Sequence, residues 1–232
     1  MANNKNQALD VNESLNKSEA FVSKNKKPII IAVCAIVVVL LGWFLYSQYV
    51  AAPREDKAST ELGKGQQYFM ANQFDKALNG DGAGYAGFKK IADDYSGTDA
   101  ANLAKLYAGI CEANLGKWNE AVKDLESFDP AGDAIVSPLA IDALGNAYAH
   151  TNQLDKAVDM FKKAASMADG KSKDGYNNTV SPRFLLQAGE ILESQNKKDE
   201  ALKIYQDIKK NYANAYVVQT GQIDAYIERA SK

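Results

Sequence analysis

The sequence predicts an all-α protein: an N-terminal transmembrane helix, then an α-solenoid of about four helical hairpins closed by a C-terminal capping helix. Three observations predict it. Residues 29–46, "IIIAVCAIVVVLLGWFLY", contain no charged or strongly polar side chain. Beyond residue 55, a glycine stands 12 residues before an alanine four times over. The chain has 5 prolines in 232 residues and few β-branched runs outside the apolar segment, which favours helix over strand.

The apolar segment comes first. Its 18 residues, at a helical rise of about 1.5 Å each, nearly cross a hydrocarbon core of about 30 Å, and Val50–Ala52 extends them. Trp43, Tyr46 and Tyr49 stand at its far end, as an interfacial aromatic belt does. A cleaved signal peptide is the competing reading. Against it, the apolar run is long and "SQYVAAPRED" is a poor small-residue cleavage site. Lys24, Lys26 and Lys27 precede the span, and Arg54 and Lys57 follow it. That modest bias points the N-terminus into the cytoplasm and the larger part outside it. Gly42 is the only glycine of the span, so a GxxxG face is absent, and Ala32, Cys34 and Ala35 form its small-residue side. The domains expected are a cytoplasmic tail (1–27), a membrane helix (28–50) and a repeat domain (51–232). The tail is rich in Asn, Lys and Ser, too polar to offset its ordering entropy, and is read as mostly disordered with a weak amphipathic helix near 15–22.

The repeats follow. The glycine–alanine pairs are Gly65/Ala77, Gly109/Ala121, Gly145/Ala157 and Gly189/Ala201. A bulky residue comes four positions after the alanine in three of them, as Leu125, Phe161 and Tyr205. The first has Asp81 there, so its second helix resumes after "NGDG" with Tyr85, Phe88 and Ile91. The small residue lets two antiparallel helices approach, and the bulky one is expected to fill the gap toward the next repeat. Turns are expected at Asn72–Gln73, Gly116–Lys117, Asn152–Gln153 and Asn196–Lys197. The marker alanines are spaced 44, 36 and 44 apart. A repeat of about 34 residues accounts for this if "NGDGAG" and "DGKSKDGYNNTV" are loop insertions. Ser137–Pro138 and Ser181–Pro182 read as serine N-caps before first-turn prolines. The segment from Tyr212 supplies the cap over the open end.

These residues resemble tetratricopeptide repeats. Leu144, Gly145, Tyr148, Ala157, Phe161 and Ala164 occupy the marker positions in order. The second repeat has Glu112 where an aromatic is usual, and the fourth has Leu192 there. Tail, single span and repeat domain together are similar to the ancillary subunit family of the SecYEG translocon. That resemblance implies a single-pass protein of the bacterial inner membrane, its N-terminus cytoplasmic and its repeat domain periplasmic. It also implies partners: SecYEG, a membrane-anchored prolyl isomerase chaperone, and peptide or helix segments of exported proteins. A scaffold in another envelope secretion or assembly complex satisfies the same residues.

In such repeats the first helix of each hairpin lines a groove. Projection places Leu106, Ile110 and Asn114, then Asp142, Asn146 and His150, then Arg183, Leu186, Glu190 and Glu193 along it. It reads as apolar toward repeat two and acidic toward repeat four, suited to a hydrophobic and basic partner segment. Other chemistries find little support. The net charge is −2 and the lysine pairs are dispersed, so nucleic acid is not an expected partner. Cys34 and Cys111 form no CxxC motif, and His150 is the only histidine, so a histidine-based triad or multi-histidine metal site is not expected. Neither a calcium loop nor a phosphate loop is present, and neither cofactor nor enzymatic activity is expected.

Overall fold

The computed structural model describes residues 19–232. The tail expectation for residues 1–18 lies outside them. The described chain divides into one unit up to Pro53 and another spanning Arg54–Lys232. In the first, α1 (Lys26–Tyr46) runs into a π-helical turn, Ser47–Ala51. Residues 19–24 are also helical and end at a turn at Asn25 before α1 begins; they overlap the stretch near 15–22 in which the sequence allows a weak helix. No residue of α1 is buried. It is the one helix among the described residues long and apolar enough to cross a membrane, by length and composition.

The second unit is a row of helical hairpins. The first pairs α2 (Ala52–Met70) with a split second helix, α3 (Phe74–Asn79) and α4 (Phe88–Asp94). Next come α5 (Asp99–Asn114) with α6 (Trp118–Glu126), and α7 (Val136–His150) with α8 (Leu154–Asp169). The fourth pairs α9 (Ser181–Ser194) with α10 (Lys198–Asn211); the short α11 (Tyr216–Gln219) and α12 (Gln222–Ala230) follow. No strand occurs among the described residues.

Each hairpin turn has one geometry. Asn72, Asn152 and Asn196 have φ of 54°, 59° and 61°, and Gly116 has 75°. The residue after each donates its N–H back across the turn, to Tyr68, Glu112, Tyr148 and Leu192 carbonyls at 2.8–2.9 Å. This is the Schellman closure, which needs a left-handed residue, and asparagine and glycine tolerate that conformation best.

The glycine motif works inside the hairpin. A Cβ at Gly109 would stand 2.5 Å from Leu125 Cγ, one at Gly145 2.8 Å from Phe161, and one at Gly189 2.3 Å from Tyr205. The bulky residue of the second helix therefore sits on the glycine of its own first helix. It does not fill the gap to the next repeat, as the sequence suggested. Gly65 follows the same rule with Tyr85 and Phe88 after the insertion. The marker alanines Ala77, Ala121, Ala157 and Ala201 are fully buried. Full burial of each large side chain, such as Phe161 or Tyr205, contributes about 1.5–3 kcal/mol.

The serine caps are corrected. Ser137 and Ser181 lie inside their helices and are buried. The caps stand four residues earlier. Asp133 accepts from the backbone N–H of Ile135, Val136 and Ser137 at 2.6–3.0 Å and from the Ser137 hydroxyl. Asn177 Oδ1 accepts from Thr179 and Val180. The Ser181 hydroxyl donates to Asp169 Oδ1 at 2.7 Å, pinning the start of α9 to the end of α8, and the Asn177 N–H holds the insertion loop to the same oxygen at 2.7 Å. A buried hydroxyl facing a neighbouring carboxylate or carbonyl acts as a donor, so it leaves the first-turn N–H groups to the acid upstream.

Glu112 replaces the aromatic of its marker position and is fully buried between the first two hairpins. Lys89 Nζ from α4 lies against its Oε1, but neither carboxyl oxygen accepts a well-formed hydrogen bond. Burial pushes the Glu112 carboxyl up and Asp124 adds to it, outweighing the opposing pull of Lys89.

Candidate functional site

The first helices are joined laterally at one register. Gln66 Nε2 of α2 donates to the Tyr107 hydroxyl of α5 at 3.1 Å. Arg183 Nη2 of α9 donates to Asp142 Oδ2 of α7 at 2.9 Å, and Gln187 Nε2 to Asn146 Oδ1 at 3.1 Å. All three pairs are 41 residues apart. Between α5 and α7 that polar tie is absent from the hydrogen bonds of the described residues. The half-buried Leu103 and Ile110 and the 41 %-exposed Leu139 occupy these helices instead. The row therefore has an apolar middle between two polar junctions.

The predicted groove residues divide accordingly. Ile110 and Leu186 are half-buried on the row, and Asn114, His150, Arg183 and Glu190 are exposed. Asp142 and Asn146 are brought together with Arg183 and Gln187. Leu106 is 7 % exposed and belongs to the core, so it cannot line a groove. Glu193 turns away to the cap, where it accepts from Arg229 Nε at 3.0 Å and the Tyr205 hydroxyl at 2.8 Å. The Arg229 hydrogen bond holds its carboxyl below the usual range. Asp142 is 6 % exposed. Burial pushes its carboxyl up, against the pull of Arg183. The acidic end expected from the sequence is thus reduced to Glu190, because the other two acids are consumed by internal arginines. His150 lies flat on Trp118, ring centroids 3.7 Å apart and planes within 4°.

Two residue sets escaped the sequence reading. Gln187 and Tyr107 are ordinary helix-face residues until a neighbouring helix supplies partners at the common 41-residue offset. The C-terminal segment closes a cavity of about 460 Å³ against the start of α9, lined by Asn178, Arg183, Leu186, Asn214, Tyr216 and Tyr226 among others. A second cavity of about 460 Å³ lies at the first insertion. Its Asp81 is already engaged by the Tyr68 hydroxyl at 2.7 Å and by Ala83 and Tyr85 N–H groups, which hold its carboxyl down at about 2.

No group of three or more His, Cys, Asp or Glu side chains among the described residues could hold a metal ion. Cys111 is buried and its thiol is pushed up to about 12 by burial, far from the reactive thiolate range.

The tetratricopeptide repeat-like domain family matches residues 19–223. The chain belongs to that family. The crystal structure of the nearly identical TPR-like repeats assigned to a kinesin light chain of Podosopora anserina superposes with a TM-score of 0.53 at 11 % identity, over 76 % of this chain and 94 % of that one. A point variant of the same repeats gives the same values. At that identity the likeness is one of fold. None of the curated proteins compared matches the chain. A fold of this family is typically a protein–protein interaction scaffold rather than a catalyst.

Proposed function

We propose that the protein is a membrane-anchored adaptor of the bacterial cell envelope, ancillary to the Sec translocon. In this reading α1 spans the inner membrane, the tail is cytoplasmic and the repeat domain is periplasmic. There the repeats meet exported chains together with a membrane-anchored prolyl isomerase chaperone. The observation that carries the reading is the row of first helices, whose apolar middle includes the exposed Leu139, on a chain that also holds a helix of spanning length. The family match reaches back to residue 19, across the apolar helix, which supports treating anchor and repeats as one unit. Confinement to a membrane raises the effective concentration of the groove toward a membrane partner without any new contact.

Crosslinking followed by affinity purification from detergent-solubilised membranes tests it. Recovery of Sec components or an envelope chaperone is the expected result. Consistent recovery of a different envelope machine, with neither of those, overturns the translocon assignment and favours a scaffold elsewhere. Repeating the purification with residues 28–50 replaced by an unrelated span separates contacts made in the membrane from those made by the repeats.

A further inference from the structure

We propose that the cavity between the start of α9 and the C-terminal segment anchors one acidic side chain, next to a bulky apolar residue, in an extended partner segment. The inference rests on the reading that the first-helix row is the binding face. It reverses the charge of partner that the sequence suggested.

Arg183 is the only charged side chain lining the cavity. It is fixed in place: Nη2 donates to the buried Asp142, and the guanidinium lies 4.8 Å from the Phe184 ring centroid. The side chain is still 53 % exposed, and its guanidinium makes no other hydrogen bond among the described residues. Arg183 thus lines the cavity with guanidinium donors that no second group occupies among the described residues, and a carboxylate matches the geometry of such a fork. Asn178, Thr179, Asn214 and Gln222 supply the remaining polar lining. All of them can donate, and the lining side chains include no carboxylate, the nearest free acid being Glu190 beside Tyr226 at the edge. Leu186 and Tyr226 form an apolar wall beside them, so an aliphatic or aromatic neighbour of the acid has a place to bury. Because Asp142 is nearly inaccessible, an incoming segment meets the guanidinium and not its counter-ion. Glu190, one turn beyond Leu186 and exposed, disfavours a second acid further along α9. The site thus selects one acid and not an acidic run.

The test uses the full chain in detergent micelles and fluorescence anisotropy. The labelled peptides are blocked at both ends, built of Ser and Gly, and carry a central Leu–Glu, Leu–Gln or Leu–Lys pair. A fourth carries Leu–Gln with a free C-terminus. Leu–Glu is expected to bind about tenfold tighter than Leu–Gln, in keeping with a charge-assisted hydrogen bond. Arg183→Gln should erase that preference while both peptides still bind. Asp142→Asn should weaken the preference by releasing the orientation of Arg183, although removing a negative charge would by simple electrostatics strengthen it. Equal affinity for Leu–Glu and Leu–Gln, a preference for Leu–Lys, or a gain confined to the free C-terminus overturns the acidic anchor and leaves the groove reading standing. Peptide binding that is indifferent to Leu139→Asp overturns the groove reading itself, and absence of binding by every peptide overturns both. Thermal unfolding of each variant shows whether a loss is one of folding.

Discussion

Single residues set the distance between helices. Gly109 admits Leu125 so closely that a Cβ would stand 2.5 Å from its Cγ and 3.2 Å from its backbone N. Backbone cannot give way as a flexible side chain can. Gly109→Ala is therefore expected to destabilise the domain by about 1–3 kcal/mol from overpacking, less the roughly 1 kcal/mol that alanine gains in a helix. Gly63 lies in α2 with nothing within 4 Å of its missing Cβ, so Gly63→Ala should stabilise by about 0.5–1 kcal/mol. Opposite shifts in thermal midpoint by circular dichroism check the pair, and equal shifts would sink the packing account. Asp133 makes a second residue-scale case. Burial opposes its charge, but the Ser137 hydroxyl and three backbone N–H groups hold its carboxyl down at about 2. Asp133→Ala should cost about 0.5–2 kcal/mol. A lowered carboxyl contributes stability above its unfolded value, about 3.9, and loses it as pH falls through the folded one. The difference between wild type and variant should thus persist at neutral pH and fade between pH about 4 and about 2.

Elements meet through a few polar contacts on an apolar background. Glu55 of α2 accepts from the Asp99 and Ala100 N–H groups at 2.8 and 3.0 Å and so caps α5 from a neighbouring hairpin. Glu112 is different in kind: an acid in a place built for an aromatic, balanced by Lys89, whose side chain is 45 % exposed. Its raised carboxyl means that the neutral form favours folding. That contribution is fully present below the unfolded value and is lost as pH rises through the folded one. Glu112→Leu removes the buried acid and leaves Lys89 free to turn to solvent. It should stabilise the junction of the first two hairpins at neutral pH, by an amount that shrinks as the pH falls toward the ordinary glutamate value, about 4.3, and wild type recovers. Hydrogen exchange in α4 and α5 across that range measures it. A variant less protected at every pH would show that the ion pair outweighs its desolvation.

At the scale of the whole molecule, hairpins stacked in a row leave one apolar end that must be covered. Here α12 does so, with Ile223 and Ala230 buried and Tyr226 5.3 Å from the Tyr205 ring centroid. Arg229–Glu193 and Lys209–Asp224 hold it from outside. Those pairs are partly exposed, so the apolar contact supplies most of the hold. Removing residues 215–232 should uncover Tyr205 and Ile208 and take away Tyr216 and Tyr226 from the lining of the Arg183 cavity. Self-association by light scattering and loss of peptide selectivity in the same deletion are the expected readouts. A monomeric deletion of unchanged selectivity would mean that α12 is neither cap nor part of the site.

Most of the hairpin organisation was legible in the chain itself. Apolar spacing, the glycine–alanine offset and the asparagine or glycine of each turn are local, and local backbone preference determines them. The interruption of the first hairpin was readable for the same reason, since Asp81 falls where a bulky residue belongs. The proposed binding face was legible only in outline: the projection put Asp142, Asn146 and Arg183 on one row, but also Leu106 and Glu193, which are occupied elsewhere. Which side of a glycine receives the bulky residue depends on how one hairpin closes, whereas which charges remain free depends on partners about 40 residues distant, as in Asp142–Arg183 and Glu193–Arg229. Those partners meet only when hairpins stack. By itself the sequence therefore determined the elements and their order, whereas tertiary packing alone decided the charge that the groove presents, because a buried acid paired to an arginine no longer counts as an acid to an incoming chain.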